Sequence, residues 1–263
     1  MKFSTTKISI LAICTIAVIL ISVYLVQNLD DTQSNPSVTI TKAVIIDQLH
    51  DDLPSQFFQN QATEFLTSAG FEVDLFTTQD ITVDFYKELP SKNYDFIVIR
   101  SHSVASGTTE ASASIFTGEI YTESKYIQEQ LSGQIGRAVP FLQSEVDEVG
   151  FASLTNKTYF VVGSKLVDEL MIDSFPGSTI ILGGCDTASG KLLASSLLRR
   201  GASEVVGWDG LVGSHDNDRG MLALLEMILI DGVSTSMAVE KVMENFTPRS
   251  DYSPTLKYYS YND

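Results

Sequence analysis

The chain has 263 residues, 44% hydrophobic and 19% charged, a globular composition that excludes the disordered and collagen-like classes. Its 33 Asp and Glu against 17 Lys and Arg give a formal net charge of -16, and an acidic body is repelled by phosphate, which argues against nucleic acid as a partner. Two cysteines, Cys14 and Cys185, can form one disulfide at most, so the fold must rest on an ordinary buried core.

Ile8 to Val26 is nineteen residues without a charge, enough to span a hydrocarbon core of about 30 Å as a helix. It reads as one transmembrane signal anchor. The run is longer than the roughly 7 to 15 residues of a signal-peptide apolar region, and no small-residue cleavage site follows it. Ile13 is too bulky for a lipoprotein box ending at Cys14. Lys2 and Lys7 precede the span and Asp30 and Asp31 follow it, so the positive-inside bias puts residues 1–7 in the cytoplasm and the body outside. Residues 27–37 are polar, contain Pro36 and form a tether. One α/β domain is expected over 38–263.

In that domain apolar runs and helical periodicity alternate. Lys42 to Asp47 (KAVIID) is a buried parallel strand. Phe58, Ala62, Phe65, Leu66 and Ala69 recur at helical spacing, with Gly70 where a C-cap glycine belongs. Phe71 to Phe76 is a second strand, Val83 to Leu89 a short helix stopped by Pro90, and Tyr94 to Arg100 (YDFIVIR) a third strand. This order predicts a parallel sheet with crossover helices. Ser103 to Ser114 is small and polar and is expected as a surface loop. Ile115 to Tyr121 and Arg137 to Leu142 are expected strands of an antiparallel hairpin element, and Thr158 to Val162 is another strand. Thr179 to Leu182 (TIIL) is a strand, Gly183 to Gly190 (GGCDTASG) a turn, Lys191 to Arg200 a helix closed by Gly201, and Glu204 to Trp208 a strand. An acidic loop over Asp209 to Gly220 leads to an apolar helix through Ile230 and a further helix, Thr235 to Asn245; the Tyr-rich C-terminus shows no periodicity.

Catalytic groups in open parallel sheets collect beyond the carboxyl ends of the strands, where several loops converge. His102 directly follows the strand YDFIVIR, and Cys185 follows TIIL after two glycines. A thiol nucleophile needs a neighbouring base, and imidazole serves near neutral pH. A helix opening just after Cys185 would favour its thiolate through free N–H groups. Plainer readings stand beside these. Cys185 alone is a small buried hydrophobe, Trp208 is core packing as readily as a pocket wall, and His50 is a loop residue as readily as part of a cleft. His215, Asp216 and Asp218 read as a solvated loop in preference to a Ca²⁺ site. No metal and no cofactor is called for. Glycosylation sequons at Asn156 and Asn245 matter only for a body placed outside the cell.

The pairing of an apolar strand before Ser101-His102-Ser103 with an apolar strand before GGCDTASG resembles the caspase-like cysteine peptidases, which include gingipain, legumain, separase and the CHAT domains. It is nearest to the gingipain and CHAT types, because Leu192 to Gly210 (LLASSLLRRGASEVVGWDG) is similar to the helix and strand that follow their nucleophile. The likeness spans residues 38–246. It implies a three-layer α/β/α sandwich with a mostly parallel sheet, and a dyad of Cys185 and His102 attacking a peptide carbonyl. The oxyanion would be held by the backbone N–H groups of Cys185 and Ser103, with Ser103 standing where the family has Gly. The 83-residue separation of His102 and Cys185 exceeds the roughly 50 of caspases proper. Asp186, Asp209, Asp216 and Asp218 suggest a basic side chain before the scissile bond, and Asp186, Trp208 and Asp209 are the candidate substrate contacts. The expectation is therefore a membrane-anchored, extracytoplasmic cysteine endopeptidase acting on peptide or protein, touching the bilayer through residues 8–26. The alternative, which Ser103 favours, is a catalytically silent caspase-like binding or scaffold domain on the cell surface. A third reading is a receiver-like or flavodoxin-like sensory domain with Asp47 as phosphoacceptor.

Overall fold

Strands apolar at successive positions must be buried on both faces, and four of these form the centre of the fold. They are β1 (Lys42–Asp47), β3 (Phe96–Arg100), β8 (Thr179–Gly183) and β9 (Glu204–Asp209). The structure, a computed structural model, describes residues 41–106, 112–140, 157–249 and 252–261. The cytoplasmic segment 1–7, the anchor 8–26, the tether 27–37, the end of the expected strand at 141–142 and the sequon at Asn156 lie outside the described residues. Among the described residues, no helix is long and apolar enough to cross a membrane.

The fold is mixed α/β with a mostly parallel six-stranded sheet. Its order is β10-β9-β8-β3-β1-β2, with β2 (Glu72–Thr77) on one edge and β10 (Thr255–Ser260), the only antiparallel member, on the other. Side chains alternate across it, as the period of two requires. Val44, Ile46, Ile97, Ile180 and Leu182 pack towards α2 (Val83–Glu88) and α5 (Leu192–Arg199). Ala43, Ile45, Val98, Ile181 and Val206 pack towards α1 (Gln56–Ser68), α6 (Ser214–Leu225) and α7 (Thr235–Asn245). In α1, Ser55 Oγ accepts the Phe58 N–H at 3.3 Å, and the chain leaves the helix through Gly70 at φ 93°, which only glycine adopts freely.

Between β3 and β8 the chain builds a second sheet, antiparallel, in the order β4 (Ser103–Ser106), β5 (Ser112–Ile120), β7 (Tyr159–Gly163), β6 (Ile135–Ala138). Two short helices, α3 (Ile127–Leu131) and α4 (Ser164–Glu169), flank these strands. The stretch expected as a loop from Ser103 is therefore strand at both of its described ends. Its small polar residues suit β4, which pairs on one side only. The acidic loop expected over Asp209 to Gly220 is corrected too, since α6 begins at Ser214. Its first turns hide from periodicity because Asp216 and Asn217 are buried polar residues on the inward face. Of the C-terminal tyrosines, Tyr258 and Tyr259 belong to β10, an edge strand needing a single partner, β9.

Candidate active site

β3 and β8 are hydrogen-bonded neighbours, with Arg100 opposite Gly183 in parallel register. The ladder runs one bond further, from Ser101 N–H to Gly183 O at 2.8 Å. His102 and Cys185 each lie two residues past that register pair, so the sheet brings their loops side by side. Ser103 Oγ donates to the Cys185 carbonyl oxygen and ties the loops together. Gly184 permits this closeness, because a Cβ there would stand 2.4 Å from Ser101 O.

Both residues line one cavity of about 480 Å³ beyond the carboxyl ends of β1, β3, β8 and β9. Its walls are mainly apolar, from Leu49, Leu53, Val104, Phe116, Leu211 and Val212. Ser103 and Asp186 also line it, whereas Trp208 and Asp209 do not.

His102 is held from several sides. Its backbone N–H donates to Gln48 Oε1 at 2.9 Å, and its ring meets Phe116 edge-on with centroids 5.8 Å apart. Nε2 is buried, has no hydrogen-bond partner among the described residues and lies 3.7 Å from Asp52 Oδ2. The Cys185 thiol donates to Val212 O at 3.4 Å and receives the Val212 N–H at 3.5 Å. No hydrogen bond joins Cys185 to His102 among the described residues. Burial pushes the thiol pKa up from its ordinary value, the Val212 N–H pulls it part of the way back, and the Asp186 carboxylate pushes it up further. The expected help from a helix start is absent: α5 begins at Leu192, beyond a turn, and a helix terminus acts only within its first turn. The net direction favours the protonated thiol.

Of the two backbone groups expected to hold an oxyanion, the strand pairing fixes the direction of the Ser103 N–H. Phe116 N–H bonds to His102 O, making that residue pair the hydrogen-bonded one, so the next pair, Ser103 and Ile115, is of the other kind and turns the Ser103 N–H away from β5. Ser103 sits in extended strand with no positive φ, so its side chain causes no backbone strain there. The left-handed residue is instead Asp186, at φ 55°, whose Oδ1 accepts from Ser189 Oγ at 2.9 Å and from the Gly210 N–H at 3.1 Å.

The remaining sequence candidates go elsewhere. Trp208 is fully buried in the core and gives its Nε1–H to Asn217 Oδ1 at 2.9 Å. Asp209 accepts from Ser189 Oγ at 3.0 Å and faces Lys257 at 3.8 Å. Asp216 is buried, taking the Arg249 N–H at 2.8 Å and Arg219 at 3.2 Å. Asp218 and Asp47 clamp the buried Arg100 at 2.6 and 2.8 Å, so Asp47, with 0% exposure, is out of reach of a phosphoryl donor. His50 Nδ1 contacts Gln59 Nε2 at 2.9 Å, and His215 is exposed; neither lines the cavity. Among the described residues, no group of three or more His, Cys, Asp or Glu is placed to hold a metal ion. Sequence reasoning missed Gln48, Asp52 and Val212. The signal for the first two was available, because the strand-end rule that found His102 and Cys185 applies equally to the loop after β1.

No family model matches the chain, and no curated protein does. Among solved structures it is similar to protein GSU0716 from Geobacter sulfurreducens, at 10% identity and a TM-score of 0.39, over 85% of this chain and 95% of that one. A likeness so slight assigns neither family nor activity.

Proposed function

We propose that the protein is a cysteine-type peptide hydrolase in which Cys185 is the nucleophile and His102 its base, carried outside the cell on the anchor at residues 8–26. The observation that carries this reading is the convergence of His102 and Cys185, from the ends of two neighbouring parallel strands, on one cavity. It also matches what the caspase-like resemblance implies, a His and a Cys ending adjacent strands of a mostly parallel sheet between helical layers.

The chemistry follows from the thiol being protonated at rest. As a substrate carbonyl enters, His102 takes the Sγ proton while Sγ attacks the carbonyl carbon, and the oxyanion is held by the N–H groups of Cys185 and Ser103. Collapse breaks the C–N bond, the imidazolium returns the proton to the leaving amine, and water hydrolyses the thioester. The basic side chain expected from the acidic loops loses its support, since of the four carboxylates only Asp186 borders the cavity. The apolar walls fit a large aliphatic or aromatic side chain before the scissile bond.

The test is cleavage of reporter peptides ending in Leu, Phe, Arg or Asp by the full-length chain. Cleavage after Leu or Phe that disappears in Cys185→Ala and His102→Ala is expected. Cleavage that survives in Cys185→Ala overturns the nucleophile, and preference for Arg overturns the apolar pocket. A second reading, a catalytically silent binding domain, is favoured by one observation: the thiol is bonded to Val212 and not to His102. Absence of Cys185-dependent cleavage on every reporter would select it.

A further inference from the structure

Two side-chain atoms of residues lining the cavity are buried without a hydrogen-bond partner among the described residues, His102 Nε2 and Asn217 Nδ2. The first belongs to the reacting pair, and the second has no part in its chemistry. A buried amide N–H left unpaired is costly, so one in a cavity wall points to a ligand that accepts from it. Trp208 settles which end of the amide is which. An indole N–H can only donate, so its 2.9 Å contact fixes Oδ1 as the acceptor and leaves Nδ2 as the unused end. Oδ1 also lies against the sheet, 3.0 Å from where a Cβ on Gly183 would stand. Ser214 and Asn217 are three positions apart on α6, hence on one face of it, and both line the cavity. The rim is exposed at Val104, Val139 and Leu211, whereas Asn217 is only 2% exposed and stands at the floor.

The cavity thus combines apolar walls with a floor that donates. A carboxylate tip would meet the Asp186 carboxylate in the same lining, and an ammonium or guanidinium has no lone pair to offer an N–H. Glutamine would accept but would bring two further donors, and Asn217 Oδ1 already serves Trp208. Tyrosine answers both demands, since its ring suits the apolar walls and its phenolic oxygen accepts a hydrogen bond. We propose that Asn217 is a specificity-determining residue that selects tyrosine before the scissile bond, donating Nδ2–H to the phenolic oxygen. This rests on the reading of the cavity as a peptide site. A pocket built to bond a hydroxyl rejects the analogue that lacks it, because the analogue leaves the buried donor unpaired, so phenylalanine is the natural comparison.

The test titrates the full-length chain carrying Cys185→Ala, which removes the nucleophile, with two peptide amides that differ only in ending with Tyr or Phe. Binding is followed by nuclear magnetic resonance on the side-chain amide protons of Asn217. Their signals are identified by their loss in Asn217→Asp, which keeps an oxygen for the Trp208 indole. The Tyr peptide is expected to bind about 10-fold or more tightly than the Phe peptide and to shift the Asn217 amide protons, which the Phe peptide leaves in place. In wild type, kcat/KM for a Tyr reporter is expected to exceed that for a Phe reporter by a similar factor. Affinities within about twofold of each other overturn the proposal. So does tighter binding of the Tyr peptide that leaves the Asn217 amide protons unmoved. Because binding is read without cleavage, a Tyr preference in a wild type that cuts nothing upholds Asn217 and overturns the hydrolase. Binding of neither peptide removes the peptide site and this inference with it.

Discussion

At Gly184 a methyl group would stand 2.4 Å from the Ser101 carbonyl oxygen and 2.8 Å from Ser103 Oγ, so the two loops of the site can meet only because this residue has no side chain. Gly184→Ala is expected to cost about 1–3 kcal/mol, read by urea unfolding, because backbone must move to accept it. A cost near zero would mean that the loops stand further apart than described. At Cys185 the argument concerns pH. Burial makes the folded thiol ionise at a higher pH than the unfolded one. Its contribution to stability is complete below the ordinary thiol value of about 8.5 and is lost as the pH rises through the folded value. Melting temperatures of wild type and Cys185→Ala are therefore expected to run parallel near pH 7 and to converge or cross above about pH 8.5, where wild type falls more steeply. Parallel curves up to pH 10 would show that the thiol is not held protonated.

Among the elements, α6 is joined to the sheet by an ionic clamp: Arg100 at the end of β3 bonds Asp47 at the end of β1 and Asp218 of α6. Arg100→Leu leaves the Asp47 carboxylate buried without its cation and is expected to cost about 3–5 kcal/mol in chemical denaturation. Adding Asp47→Leu should recover part of the loss; no recovery would place the energy in packing around Arg100, which also stacks over Phe58. The same clamp explains what the sequence concealed. β1, β3, β8 and β9 are legible because continuous apolar runs have one outcome, burial on both faces. Helix α7 is read at its exact bounds, Thr235–Asn245, from its apolar period. The start of α6 is not, because its first turn carries the buried Asp216 and Asn217 and the half-buried Asp218, whose partners Arg249, Trp208 and Arg100 all lie outside the helix. β4 and β10 escape for a related reason: an edge strand is stabilised by a single neighbour, and one-sided pairing leaves little pattern in its own residues. His102 and Cys185 are legible as strand ends, whereas the substrate role of Trp208 fails because strand position alone does not tell a core indole from a pocket wall.

For the whole molecule, the anchor is the feature with the plainest test. If residues 8–26 span a bilayer, the full chain sediments with membranes and resists extraction by high salt, while a chain beginning at Val38 stays in the soluble fraction. Both remaining soluble would remove the anchor and with it the external location. The net charge of -16 alone would not hold the chain on a bilayer, since anionic headgroups repel it. The adjacency of β3 and β8 has a further consequence in time. The two strands pair directly, yet the whole second sheet is translated between them. His102 precedes Cys185 by 83 residues, a wait of roughly 4 to 17 seconds at about 5–20 residues per second. During that wait β3 stands without the partner that finally covers one of its edges, and an unpaired strand edge is a template for wrong partners.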